Sequence, residues 1–368
     1  MKNATWDVFI AGAGPAGAAT ALSLAAVAPE LRVCLAGAGR FDPFRVGESV
    51  PPLIQRFLDH LGVWQAFVDE GHCPSFRTLS AWGGPVLEGN EFFLHVHKTG
   101  WRLDRGRFDL WLAAEAERRG ALPLTAKVRA LAPEGEGWRI DCGDSGIHRA
   151  RCAVDATGHA ALLARLAGLA PVNHDRLVAC VGFFPDMGGT DRPGADAALI
   201  EAFGDGWWYT AATPSGQRVV ALMTDSDVVG RLGASRLETW LKHLQATRHV
   251  RVLVDVSRPL APLRLWPAAS RRLDGPFRAG LIPVGDAVSS FDPLSSQGII
   301  KALRSGIFAS YAIADWLLRA DGGQGFSRYT VLMRREFTAY RETLRNYYRL
   351  EQRWPNALFW RRRHLDSP

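Results

Sequence analysis

The 368-residue sequence predicts a mixed α/β fold: a Rossmann-like nucleotide-binding domain, an antiparallel β-rich segment inserted into it, and C-terminal helices. Three observations carry this. A G-x-G-x-x-G run near the start stands between an apolar strand pattern and a helical one. From about residue 172 to 270 the chain turns to β-branched and aromatic runs punctuated by Gly, Pro and Asp. It then returns to a short buried strand at Leu281–Val284, followed by two long helical periodicities, Ile299–Leu318 and Tyr329–Arg353.

The first strand, Val8–Ala11, leads into G-A-G-P-A-G. Gly12 allows the tight turn, Gly14 lets a pyrophosphate approach the backbone, and Gly17 lets helix and strand pack closely. Pro15 suits the first helical position, where its missing N–H costs nothing. From Ala16 the helix runs to Ala28, and its free N–H groups face the phosphates. Leu31–Ala36 is the second strand of the βαβ unit. An acid that binds ribose hydroxyls normally ends that strand. Here Gly37 holds the place, so the adenosine end is expected to be held loosely, with Arg40 near enough to meet a phosphate.

R-V-G-E-S-V-P-P (45–52) then places Glu48 and Ser49 in a loop before a helix over Leu53–Leu61, and a second short helix lies around Trp64–Asp69. Alternation predicts strands at Phe76–Trp82 and Glu91–Val96. Asp104 is a plausible N-cap for a helix that ends at Gly120. Val128–Leu131, Trp138–Cys142 and Ile147–Arg151 read as short strands, and Cys152–Asp155 as a buried one ending in D-A-T-G. The inserted segment supplies Leu177–Phe184, Ala198–Ala202, Trp207–Thr213 and Arg218–Thr224 as strands, with a helix over Leu237–Leu244. The expected division is a discontinuous nucleotide domain over 1–75, 100–170 and 275–320. The β-rich domain takes 76–99 and 171–274, and a helical segment 321–368.

Composition excludes several classes. A charge of +7, mostly from arginine, suits a dinucleotide or an acidic partner, and no basic run with interleaved aromatics suggests nucleic acid except Arg361–His364. The five cysteines form no C-x-x-C pair, which points to free thiols in a reducing compartment. No His/Cys spacing suggests a metal. His95 and His97 share a face of the expected strand but make no ligand set. No signal peptide or long apolar span is visible, so a cytoplasmic protein without a membrane span is expected.

Four pieces occur in order: G-A-G-P-A-G at 12–17, Arg105 before a helix, D-A-T-G at 155–158 and G-D-A-V-S-S-F-D-P-L-S-S-Q-G-I at 285–299. Together they resemble the FAD-dependent monooxygenases of the para-hydroxybenzoate hydroxylase superfold, in the branch that holds tryptophan halogenases and geranylgeranyl reductases. The resemblance implies a Rossmann-like FAD-binding domain, Asp286 on the ribityl chain and Arg105 on the FAD phosphates. A carboxylate at a strand end can accept from sugar hydroxyls, although Asp286 could also be a simple helix cap. Pro293, Gln297, Gly298 and Ile299 would form the turn whose N–H groups face the ring edge that becomes anionic on reduction. Val128, Glu48 and Ser49 complete the expected cofactor contacts.

R-V-G-E-S-V-P-P, G-W-W-Y-T-A at 206–211 and the tail at 347–363 look like the flavoproteins that mature tryptophylquinone cofactors by hydroxylating a tryptophan of a partner polypeptide. That likeness implies a monooxygenase acting through a flavin C4a-hydroperoxide, with O2 and with NAD(P)H or a reductase as electron donor. A quinoprotein precursor polypeptide would be its partner. Halogenases need a lysine early in the strand after the G-E-S helix. C-P-S-F-R-T-L-S-A-W-G-G has none, and Arg77 stays protonated and cannot replace it. The halogenase W-x-W-x-I-P pattern is half present. Glu48 is the candidate base, or a helix-start acid, and Trp207 a candidate site aromatic, or a core strand residue. A small-molecule aromatic hydroxylase, a halogenase-like enzyme and an isoprenoid reductase are the alternatives.

Overall fold

The computed structural model describes residues 3–365 apart from 38, 40, 41, 43, 190, 191, 275, 276, 278, 279, 320 and 321. One seven-stranded sheet contains the Gly-rich turn. In spatial order it runs Leu122–Thr125, Val33–Gly37, Thr5–Ala11, Ile147–Asp155, Gly137–Asp141 and Ala130–Glu134, with Leu281–Pro283 also pairing with Ile147–Asp155. The strands next to Thr5–Ala11 are parallel to it, with Ala11 opposite both Ala36 and Asp155. Four chain passes therefore end at one edge. The turns after Ala11, Gly37, Asp155 and Pro283 are hydrogen-bonded to one another there: Gly12 N–H donates to the Ala36 carbonyl, Ala156 N–H to Ala11 and Val284 N–H to Asp155. That edge, at the carboxyl ends of parallel strands, is where α/β sheets bind ligands.

The helices Pro15–Val27 and Gly298–Arg319 cover this sheet and cross closely. A Cβ on Gly306 would lie 2.5 Å from the Ala16 carbonyl oxygen, and Ser310 donates to Ser23 Oγ at 2.6 Å. Asp104 caps the Arg105–Arg118 helix by accepting from Arg107 N–H.

The second seven-stranded sheet runs Arg264–Pro267, Leu177–Pro185, Gln217–Asp225, Gly206–Ala212, Ala198–Phe203, Arg77–Ala81 and Glu88–Glu91. It is antiparallel except where Ala198–Phe203 meets Arg77–Ala81. Both faces are covered. Trp208 and Cys180 pack with Trp240 of the Leu237–Gln245 helix. Trp207, Ala179 and Phe183 pack under the Gln324–Leu350 and Leu358–Leu365 helices, through Phe337, Tyr340, Leu344, Tyr348 and Trp360. This explains why V-A-C-V-G-F-F is continuously apolar rather than alternating.

Several expectations need correction. Ile147–Arg151 and Cys152–Asp155 form one strand. Glu91–Val96 is not a strand: the edge strand stops at Glu91 and Phe92–Leu94 is a 3-10 turn, leaving Phe93, Leu94 and Val96 exposed with no neighbour to pair. His95 and His97 accordingly lie in a loop rather than on a shared strand face. The strand expected from Val128 begins at Ala130. Leu358–Leu365 is a separate helix, and its basic run is engaged internally. Arg362 pairs with Asp225 and Asp227, and the buried Arg363 pairs with Asp225. All five cysteines are free.

Gly306→Ala tests the helix crossing. Alanine favours an exposed helix by about 1 kcal/mol, but here its methyl meets backbone, so overpacking should dominate and lower stability by about 1–3 kcal/mol. A urea midpoint that rises instead would show a loose crossing.

Candidate functional site

The carboxyl edge of the first sheet and one end of the second enclose a cleft of about 1080 Å³. The Gly-rich turn forms one wall. Gly12, with φ +117°, lies against Ala156, whose carbonyl oxygen would be 2.1 Å from a Cβ at Gly12. Gly14 lines the cleft, and a Cβ there would meet nothing within 4 Å, so the backbone is open to a ligand. Gly17 is outside the lining and serves packing, since its Cβ would lie 1.9 Å from the Gly12 carbonyl oxygen. Pro15 and Ala16 line the wall at the start of the Pro15–Val27 helix. Gly37 lines it too, and a side chain there would press on Ala13 Cβ at 3.1 Å, so an acid would need Ala13 to give way. Arg40 lies outside the described residues.

Arg105 reaches across the R-V-G-E-S loop. Its Nη1 donates to the Val46 carbonyl at 2.8 Å, its Nη2 pairs with the buried Asp109 at 3.3 Å, and Arg45 pairs with the same carboxylate at 2.9 Å. Glu48 is 1% exposed; its Oε2 accepts from Gly47 N–H, and its Oε1 has no hydrogen-bond partner. Burial pushes the Glu48 carboxyl above its usual range, only partly offset by the Tyr209 hydroxyl and Arg105. Ser49 and Val128 also line the cleft.

On the opposite wall stand Asp286, Pro293, Gly298 and Ile299. Ser296, in left-handed conformation at φ +50°, turns the chain into the Gly298–Arg319 helix, whose N-terminus opens on the cleft. Gln297 does not line the cleft; its carbonyl accepts from Lys301 N–H. Burial would raise the Asp286 carboxyl, but the Lys301 ammonium at 2.6 Å outweighs it and holds the group below its ordinary value.

Trp207 is not in the cleft. Its side chain is fully buried under the C-terminal helices, donating Nε1 to Tyr348 Oη at 3.1 Å. Tyr209, two residues on and on the same strand face, is the one that opens to the cleft.

Four residues outside the expected set matter. Lys301 is buried in an I-I-K-A-L helix start, where an unpaired lysine would be costly; that contradiction was visible in the sequence. Asp292 accepts from Tyr348 Oη at 2.7 Å and from Leu294 N–H at 2.9 Å, while its own N–H donates to Tyr340 Oη. Burial, with Asp175 adding to it, pushes the Asp292 carboxyl up to about 7. His159 and Trp266 carried no local pattern.

These residues fit a dinucleotide with a polar ring system. Cleft-lining Glu48 Oε1, Arg105 Nε, His159 Nε2, Trp266 Nε1 and Ser290 Oγ are all buried without a partner in the protein. Such orphaned groups mark where a ligand supplies the missing hydrogen bonds. Among the described residues no His/Cys/Asp/Glu group could hold a metal ion.

Comparison with known proteins agrees. The tryptophan halogenase family matches residues 7–84. The FAD-dependent oxidoreductase LodB of Marinomonas mediterranea is 32% identical over 99% of this chain and 98% of its own length. Among solved structures, the myxobacterial chondrochloren halogenase CndH superposes with a TM-score of 0.84 at 23% identity, covering 98% of this chain and 86% of that one. QhpG, a peptidyl tryptophan dihydroxylase essential for tryptophylquinone cofactor biogenesis, superposes at 0.78 with 24% identity, covering 98% and 78%. The fold is that of the FAD-dependent halogenases.

Two outcomes follow from the geometry. Gly14→Val should weaken FAD binding at least roughly tenfold by blocking phosphate approach, with the melting temperature of the apoprotein unchanged; flavin fluorescence titration reads it. Asp292 titrates near 7 when folded and near 4 when unfolded, so its contribution to stability is complete below pH 4 and is lost as pH rises towards 7. Relative to wild type, Asp292→Asn should remove that component of the fall in urea midpoint between pH 5 and pH 7.5.

Proposed function

The chain belongs to the FAD-dependent oxidoreductases, and from that premise we propose that it is a monooxygenase that hydroxylates a tryptophan side chain of a partner polypeptide, a quinoprotein precursor. The observation that carries this reading is the substrate end of the cleft. There Ala179, Val219, Ala221 and Met223 present a flat aliphatic face of the second sheet, bordered by Tyr209, Trp266 and Phe291. Small side chains on a rigid sheet flanked by aromatics suit a planar, electron-rich ring.

Halogenation is disfavoured by the same wall. Among the described residues Lys127 is the one lysine lining the cleft, beside Thr125 and Val128 at the end of the nucleotide sheet. The Lys301 ammonium is held by Asp286 and the Ser289 carbonyl. Arg77 is paired with Asp196 at 3.2 Å and with Glu91 at 3.8 Å. QhpG, which acts on a peptidyl tryptophan, supports a protein-borne substrate.

In this reading Gly14 and the N–H groups that open the Pro15–Val27 helix hold the FAD pyrophosphate, Arg105 adds positive charge, and Asp286 accepts from the ribityl hydroxyls. When bound and reduced by NAD(P)H or a reductase, FAD would supply O2 activation, with one oxygen atom going to the aromatic ring and the other to water. The N-terminus of the Gly298–Arg319 helix, which opens on the cleft, would stabilise negative charge on a reduced ring held there. Glu48, whose carboxyl burial pushes above its usual range, stands at the cleft wall beside Tyr209 as the group placed to exchange a proton there. The apolar sheet face excludes water from the ring being oxidised. No described helix is long and apolar enough to cross a membrane, and five free thiols suit a reducing compartment.

The test is O2 uptake by the FAD-loaded protein with a reductase and a tryptophan-bearing precursor polypeptide, followed by mass spectrometry. The expected product carries one or two added oxygen atoms on tryptophan. Halide incorporation, hydroxylation of free aromatic compounds alone, or saturation of an isoprenoid double bond without productive O2 use would replace this reading with one of the alternatives.

A further inference from the structure

Lysine is scarce in this arginine-rich chain, and Lys301 is the one buried completely among the described residues. It sits in the first turn of the Gly298–Arg319 helix, between Ile300 and Ala302, both directed into packed surroundings. A lysine at such a position is tolerated only with close partners. It has three. Its Nζ donates to Asp286 Oδ1 at 2.6 Å and to the Ser289 carbonyl, and it lies 5.0 Å from the centroid of the Phe291 ring. Phe291 is itself stacked flat on Tyr340, ring centroids 3.9 Å apart.

Asp286 and Phe291 belong to the two turns that form one wall of the cleft, Gly285–Ala287 and Ser290–Pro293, and Ser289 lies between them. The ammonium therefore stands behind that wall and ties both turns to the helix. It engages one oxygen of Asp286; the other makes no hydrogen bond among the described residues, and the side chain is 46% exposed towards the cleft. A bare carboxylate on a short turn would have several rotamers. One clamped through Oδ1 has its second oxygen fixed as an acceptor.

We propose that Lys301 is a positioning residue for the flavin cofactor: clamped to Asp286 and the Ser289 carbonyl behind the cleft wall, it fixes the Asp286 carboxylate as the acceptor for the ribityl hydroxyls. The inference rests on FAD binding and is independent of the substrate. Other charged groups surround the pair. Arg271 donates to the carbonyls of His159 and Asp286, His159 and Arg105 face Asp286, Arg45 lies beyond Arg105, and Arg304 is one turn along the helix. Burial and Arg271 hold the His159 imidazole below its ordinary value.

The experiment is a double-mutant cycle on the full chain, with FAD dissociation constants from fluorescence titration between pH 6 and pH 8 and melting temperatures of the apoproteins. Asp286→Asn and Lys301→Met should each weaken FAD binding about tenfold. In K301M the loss should deepen as pH falls, because Asp286 without its cation takes up a proton; wild type and D286N should show no such slope. Lys301→Arg should recover part of the affinity. In the D286N background K301M should add nothing further. Wild-type affinity and pH profile in K301M, or losses that multiply in the double variant, would overturn the proposal. If K301M alone fails to fold because it leaves a buried carboxylate unpaired, the double variant, which removes both charges, is compared with D286N. Equal affinity supports the proposal and a further tenfold loss overturns it.

Discussion

The backbone contact between Gly12 and Ala156 is the constraint on which the rest of the site depends. Two strands far apart in sequence end side by side, and no side chain fits between the turns that follow them. Gly17 meets the Gly12 carbonyl from below, so helix, first turn and D-A-T-G turn nest as bare backbone. This packing brings the Pro15–Val27 helix N-terminus to the cleft and leaves Gly14 open on the ligand side. Asp155 secures the second turn from within, accepting from Thr157 Oγ1 and from the N–H groups of Thr157 and Ala164.

The opposite wall is held by side-chain charge and hydrogen bonding in addition to its backbone pairing with Arg271–Leu273. The Ser290–Pro293 turn is fastened to the C-terminal helices through Asp292, Tyr340 and Tyr348, and Trp207 completes that network from the second sheet. Each hydroxyl in it has a partner: Tyr348 donates to Asp292 and accepts from Trp207, and Tyr340 meets Ser270. A fully partnered buried network fixes one geometry, whereas a partly partnered one would not. The turn over the cofactor is thus positioned by residues more than forty positions further along the chain.

What could be read from the sequence is what local chemistry controls. The Gly-rich turn, the Asp104 cap and the long periodic helices depend on neighbours a few residues away. Five strands of the second sheet were readable from their apolar or alternating runs, whereas Arg264–Pro267 and the exposed Glu88–Glu91 were not. Two- and three-residue strands such as Ser49–Val50 and Arg271–Leu273 were not, because they exist only through distant partners. Glu91–Val96 alternates like a strand but has no neighbour to pair with. Trp207 and Tyr209 share a face, and only tertiary packing decides that the tyrosine opens to the cleft. Lys301 was the visible inconsistency: a charge within an apolar helical stripe, whose resolution required knowing that Asp286 stands opposite.

The double covering of the second sheet bears on how the protein is made. One face is closed by a helix within the inserted segment, and much of the other by residues 324–365, which follow the last strand of the sheet by more than fifty positions. Thr5–Ala11 likewise waits for Ile147–Asp155, and that strand for Leu281–Pro283. A nascent chain that has completed this sheet at Pro267 therefore carries part of an apolar face without its cover until the Gln324–Leu350 helix is made. Closure through such distant partners is slow to form, and until it forms the exposed apolar face is a site for aggregation.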